Sequence, residues 1–434
     1  MYVVLAVPYT ELVMTSWNLR GRLSTLTRIG LLSLLAAANA APQAHAQAHA
    51  NDKWTAAWTA SPQAILRAED GFEVELPATL SDQTVRQTLR LSLGGRAVRI
   101  VLTNAYGKAP LVIGEARVAR VESGSTIVQG SDRALTFGGE TRVVIPPGAP
   151  AISDPVQIDL PLLSDLSVSI YVPETTPIDT FHWSGQQTGY LAKGNVTSAT
   201  TITADATFTS RLFVSAVLSS GSGSNRVIAA FGDSITDGSS VTVDSNQRWP
   251  DILSERLAPH RVGAINAGIS GNQLLTDGMG ANAIARFERD VLSQPGVEAV
   301  IVLIGINDIG AFSTMKVPTA GELIAGYRQL IAQARSRGVR IFGATITPFE
   351  GALEDFAAGF YTPEKEAVRA QVNAWIRSGG ELDGFVDFDA ALRDPQRPTQ
   401  ILAAYDSGDK LHPNDAGYRA MAEAIELAPL LRRR

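Results

Sequence analysis

The 434-residue chain contains no cysteine and only five histidines. Without cysteine there is no disulfide framework, no thiolate zinc site, no iron–sulfur cluster and no cysteine nucleophile. Long apolar runs are missing too: no stretch reaches the roughly 18 residues of a membrane-spanning helix. Positive charge is not in excess. The formal net charge of −6 argues against a nucleic-acid partner, which would demand a basic surface. What is present is ordinary for a globular protein, with 45% hydrophobic and 18% charged residues. A chain of this length has room for two or three domains at about 150 residues each.

Residues 1–50 read as a signal region. Arg20, Arg22 and Arg28 supply positive charge, residues 29–38 a short apolar run, and Ala44-His45-Ala46, Ala46-Gln47-Ala48 and Ala48-His49-Ala50 small-x-small cleavage sites. The run is too short to cross about 30 Å of hydrocarbon. Export to the periplasm or the medium is the expectation, with no integral membrane association once the signal is removed. Cleavage takes away His45 and His49, leaving His182, His260 and His412.

The remainder divides at 219–225, Ser-Ser-Gly-Ser-Gly-Ser-Asn, a connector by composition. Residues 51–218 read as all-β. Val85, Gln87, Leu89, Leu91 and Leu93 alternate with their neighbours, Gly94-Gly95 suggests a two-residue hairpin turn, and Val98, Ile100 and Leu102 resume the alternation. Further short runs at 111–118, 141–145, 166–172 and 211–217 predict a β-sandwich or jelly-roll. Residues 226–434 alternate strand and helix. Strands are expected at 227–231, 262–267, 297–304, 339–346 and 385–388, and helices at 249–257, 323–334, 363–376 and 413–427. That order implies a parallel sheet covered on both faces. Residues 391–408 read as a loop bordering the site.

Ligands of open α/β sheets bind beyond the carboxyl ends of the strands. The first strand is followed by Gly232-Asp233-Ser234, the second by Gly268-Ile269-Ser270-Gly271-Asn272 and the third by Gly305-Ile306-Asn307-Asp308. Asp409-Lys410-Leu411-His412-Pro413 lies near the C-terminus. A nucleophilic serine needs a base, and the base an orienting carboxylate. His260 enters a strand at its far end and reads as a solvated loop residue. His182 lies between Phe181 and Trp183 in the β region, where a structural or ligand-lining role fits better. His412 has Asp409 three residues before it and is the candidate base for Ser234. The N–H groups of Ser234 and Gly271 and the amide of Asn307 are candidate oxyanion donors. Asp233 and Asp308 fit as hydrogen-bonding supports of their loops. Trp249, Phe349, Tyr361 and Tyr405 are candidate substrate-pocket aromatics.

These four blocks, taken in order between residues 232 and 413, resemble the SGNH, or GDSL-type, hydrolase superfamily. Gly232-Asp233-Ser234 matches its nucleophile block, Asn266–Asn272 its glycine block with Gly271 at the oxyanion position, Gly305–Asp308 its asparagine block and Asp409–His412 its D-x-x-H block. Ile235-Thr236 stands where many members have leucine. The segments Trp54–Gln63, Arg86–Gly107 and Arg248–Asp251 are similar to an exported two-domain branch of bacterial acylhydrolases linked to xylan degradation. The resemblance implies a three-layer α/β/α, flavodoxin-like fold, no metal, no organic cofactor, and serine-dependent hydrolysis of carboxylic esters. A short acyl group, acetyl above all, on a carbohydrate or similar alcohol is the expected substrate, small or polysaccharide. An arylesterase or lysophospholipase is the alternative. A carbohydrate-binding protein with a degenerate hydrolase domain is the alternative from another class.

Overall fold

A computed structural model describes residues 53–66, 74–223, 225–310, 316–378 and 380–432. The expected signal region lies outside the described residues. Lys53–Arg434 forms one compact unit, and a continuous hydrophobic core runs through its two differently built parts.

The N-terminal part is made of antiparallel strands. One sheet orders Thr55–Thr59, Val214–Ser220, Gly95–Thr103 and Pro150–Ile152, with Val156–Leu160 also on Gly95–Thr103. The other orders Ala206–Phe208, Gly189–Lys193, Gln83–Arg90, Asp165–Val172, Glu115–Ser123 and Thr126–Ile127. The expected hairpin at Gly94-Gly95 is not formed: Gln83–Arg90 and Gly95–Thr103 belong to different sheets. The glycines serve a close approach instead. A Cβ on Gly94 would stand 2.1 Å from Leu160 O, and one on Gly95 2.5 Å from Ser220 O. The chain passes there from one sheet to the other. Ser219 and Ser220, connector by composition, are buried and end the strand Val214–Ser220.

The C-terminal part has a fully parallel sheet in the order Gly263–Gly268, Val227–Gly232, Val297–Leu303, Arg340–Ala344, Gly384–Val386. By sequence this is 2-1-3-4-5, the flavodoxin-like order, whose topological switch point lies between the first and third strands. The helices Trp249–Leu257, Ala320–Ser336 and Pro363–Ser378 follow the expected apolar spacing. The region 391–408 is not a plain loop, because Arg393–Asp394 and Arg397–Ile401 pair as a small hairpin. Trp249 and Phe349 are fully buried. Trp249 packs on Phe388 with ring centroids 5.4 Å apart, and Phe349 packs on Phe360 and Tyr361. Both are core residues with no surface left for a substrate, which corrects their assignment to the pocket. Tyr361 and Tyr405 are half-buried against the same core.

Three buried charged groups lie beneath the carboxyl ends of the first strands. Arg286 donates to the carbonyls of Gly232 (2.8 Å) and Ala267 (2.7 Å), to Asn272 Oδ1 (2.9 Å) and to Asp290 (3.1 Å). Its guanidinium also sits 4.2 Å from the centre of the Phe231 ring. Asp308 accepts the N–H groups of Leu274 (2.7 Å) and Leu275 (3.0 Å), so it does hold a loop, as expected. Burial raises its pKa to about 6 against those two bonds. Asp233 accepts from Ile235 N at 3.1 Å. Burial, helped by the Asp308 charge and opposed by that bond and by Arg286, pushes its pKa up to about 7.

Two outcomes follow. Arg286→Ala removes a donor from two carbonyls, from Asn272 and from the buried Asp290, which keeps Arg289, and should lower unfolding stability by about 3 kcal/mol in a denaturant titration. Asp233 binds its proton more tightly in the folded state than its ordinary value of 3.8 allows. Its contribution is therefore fully present below that value and is lost as pH rises through about 7. Asp233→Asn keeps the acceptor for Ile235 and removes the ionisation. Denaturation midpoints measured from pH 5 to 8 should decline less steeply for the variant than for the wild type.

Candidate active site

Ser234 opens the helical turn Ser234–Asp237 immediately after strand Val227–Gly232, with Asp233 as its N-cap. The sequence leaves a single residue, the cap Asp233, between the end of the strand and the turn. The serine is therefore presented at the strand's carboxyl end, beside the switch point. His412 reaches it from the other end of the chain, with Nε2 2.8 Å from Ser234 Oγ. His412 Nδ1 lies 2.6 Å from Asp409 Oδ2.

The Asp409–His412 segment is a compact turn. Asp409 Oδ1 accepts the N–H groups of Leu411 (2.9 Å) and His412 (2.8 Å), and Lys410 takes a left-handed φ of 59° between them. Asp406 Oδ1 accepts the N–H of Lys410, and Ser407 N–H donates to His412 O. Asn414 then caps helix Asp415–Glu423, fixing the far side of the turn. Burial works to raise the pKa of Asp409. The His412 ring and the two backbone N–H groups outweigh it and hold the carboxyl at about 2. Asp409 is thus ionised at any pH near neutrality, which suits a group that orients an imidazole.

Facing Ser234 is the loop that follows strand Gly263–Gly268. Gly271 has φ +74°, a conformation glycine adopts freely. A Cβ there would stand 2.1 Å from Met279 Sδ, so the thioether rests on the Gly271 α-carbon. Among the described residues, neither Ser234 N–H nor Gly271 N–H has a protein acceptor. Asn307 Nδ2 donates one hydrogen to Asn272 O at 3.0 Å, which orients the amide and leaves its second N–H free. Three donors without a protein acceptor therefore lie on the turn that Ser234 opens and on the loops after the second and third strands. Backbone donors without acceptors are uncommon in folded proteins, and here one belongs to the serine paired with a base.

The structure brings Ser234, His412 and Asp409 into direct contact, and Asn307 binds the loop that carries Gly271. His260 ends a short exposed turn away from these residues. His182 is buried and faces Asp237, with Nε2 2.9 Å from Oδ1. Sequence reasoning missed Arg286, the His182–Asp237 pair and Met279. Arg286 lies one helical turn before Asp290 and shows no alternation or motif that would have marked it. The His182–Asp237 contact joins residues far apart in the chain, and spacing carries no trace of it.

Residues 230–420 match the model of the GDSL-like lipase/acylhydrolase family. No curated protein matches the chain. Among solved structures, the carbohydrate acetylesterase Est24 from Sinorhizobium meliloti is similar at 20% identity, over 46% of this chain and 95% of that one, with a TM-score of 0.37. An acetyl xylan esterase, AlAXEase, is similar at 19% identity over 46% of this chain and 96% of that one (TM-score 0.34). The aryl esterase of M. smegmatis is similar at 18% identity over 46% and 95% (TM-score 0.37). With these four blocks assembled around Ser234, the segment 230–420 matches the GDSL-like lipase/acylhydrolase family, a match that supports a carboxylic ester hydrolase.

Proposed function

We propose that Ser234, His412 and Asp409 hydrolyse short O-acyl esters, acetyl above all, of a carbohydrate or similar polar alcohol. The observation that carries the reading is the unbroken line Ser234 Oγ–His412 Nε2 at 2.8 Å and His412 Nδ1–Asp409 Oδ2 at 2.6 Å, bordered by donors that have no protein acceptor. Ser234 Oγ attacks the ester carbonyl carbon while His412 Nε2 takes its proton. Asp409 keeps the ring in register and offsets its charge. The carbonyl oxygen becomes an oxyanion bound by Ser234 N–H, Gly271 N–H and Asn307 Nδ2. His412 returns the proton to the departing alkoxide, and the acyl group stays on Ser234. A water then attacks the acyl-enzyme, giving its proton to His412, and releases the carboxylic acid and free serine.

The preference for a small acyl group is supported by Met279. Its thioether already stands against Gly271, beside the place where the acyl carbonyl is held. The signal-like N-terminus and the acidic net charge of −6 favour an exported enzyme acting on a polar substrate.

Ser234→Ala should reduce kcat on 4-nitrophenyl acetate by roughly 10⁴–10⁶-fold, and retained turnover would overturn the reading. Asn307→Ala removes one oxyanion donor and should cost about 10²–10³-fold in kcat with little change in KM. A series of 4-nitrophenyl esters from acetate to dodecanoate should peak at acetate. A maximum beyond about eight carbons would reject the short-acyl assignment. Acetate released from acetylated polysaccharides identifies the alcohol.

A further inference from the structure

The β part grips the loops of the α/β part through alternate residues of one segment. Thr59 Oγ1 donates to Asn266 O at 2.8 Å, and Gln63 Nε2 donates to Met279 O at 2.7 Å. Between them, Ser61 O lies 3.0 Å from His182 Nδ1. His182 ends the strand Thr180–His182 and is 5% exposed. Its other nitrogen, Nε2, lies 2.9 Å from Asp237 Oδ1. Both ring nitrogens face oxygen atoms, one of the β part and one of the α/β part.

Asp237 is 1% exposed. Its Oδ2 accepts two bonds from Ser270, from N and from Oγ, each at 2.9 Å. Oδ1 is buried and accepts no hydrogen bond among the described residues, and the His182 ring nitrogen stands against it at 2.9 Å. Asp237 closes the helical turn that Ser234 opens, and Ser270 directly precedes Gly271. One carboxylate therefore ties the turn bearing one free N–H to the loop bearing the other. Arg248 braces the same place, donating to Asp237 O and to Gly185 O of the β part, each at 3.2 Å. Arg211 lines the adjoining cavity, whose free volume of about 30 Å³ has room for about one water.

We propose that His182 is a positioning residue supplied by the β part. Its ring holds the Asp237 carboxylate so that Ser270 is clamped, and this sets the distance between the Ser234 and Gly271 N–H groups. The proposal rests on the serine-hydrolase reading above. It makes the β part a component of the catalytic apparatus. Without the ring, the space beside Oδ1 opens, water enters the enlarged cavity, and the carboxylate that clamps Ser270 loses its fixed direction. Displacing a preorganised group by about 1 Å can cost on the order of 10²-fold in rate.

The test uses the full chain with 4-nitrophenyl acetate. His182→Ala should lower kcat about 10–100-fold while KM stays within about twofold, because the donors act on the transition state. His182→Gln places an amide N–H near the position of Nε2 and should recover most of the loss. His182→Asn keeps an N–H for Ser61 but does not reach Asp237, and should be as slow as His182→Ala. If His182→Ala does not fold, as judged by circular dichroism, the Asn and Gln pair decides. An unchanged kcat in His182→Ala, or in His182→Asn, would overturn the proposal, as would a glutamine variant no better than asparagine. Ser234→Ala run in parallel separates the two readings. An active Ser234→Ala removes the serine mechanism itself, whereas an inactive one beside an undiminished His182→Ala removes only this inference.

Discussion

The site depends first on a buried cation. Arg286 binds the carbonyls of Gly232 and Ala267, where the first two parallel strands end, and the side chain of Asn272 in the glycine loop. Those strands run side by side as a parallel pair, and Arg286 binds a carbonyl at the carboxyl end of each. A guanidinium, with five donors in a rigid fork, satisfies several such acceptors at once. Burial drives its pKa down, while Asp290 acts to keep the charge. The ends of these two strands and the glycine loop are thus joined through one buried group.

Acyl transfer needs donors that are available when charge develops, and folding tends to consume donors. The protein reconciles the two by fixing the residues around each free N–H. Asp233 caps the turn at Ile235 and leaves Ser234 N–H unspent. Asp308 takes Leu274 and Leu275, downstream of Gly271. Asn272 O takes one hydrogen of the Asn307 amide and leaves the other. Preorganisation here is built from neighbours that are fully bonded.

Much of this was legible in the sequence. Alternation and apolar spacing located the parallel strands and long helices to within a few residues, because both faces of that sheet are buried and its strands read as continuous apolar runs. The small and polar residues after those strands marked Ser234, Gly271, Asn307, Asp409 and His412. Aromatic type alone misled at Trp249 and Phe349, since large rings fill cores as readily as they line pockets. Gly94-Gly95 misled because two physical demands, a left-handed turn and a close backbone approach, select the same residue. Buried polar contacts such as His182–Asp237 and Arg286–Asp290 were illegible for a different reason. Their partners are chosen by tertiary approach, and a polar residue in a strand or helix looks the same whether it meets solvent or a buried charge.

Met279 gives the missing cysteine a further meaning. With no thiol in the chain, methionine is the only sulfur available to an oxidant. Among the described residues Met421 is fully buried, whereas Met279 is partly exposed and rests on the α-carbon of Gly271. Peroxide converts such a thioether into a polar sulfoxide, adding an oxygen beside a donor meant for the substrate. Among the described residues, Met279 is thus the methionine through which an oxidant would reach the Gly271 loop.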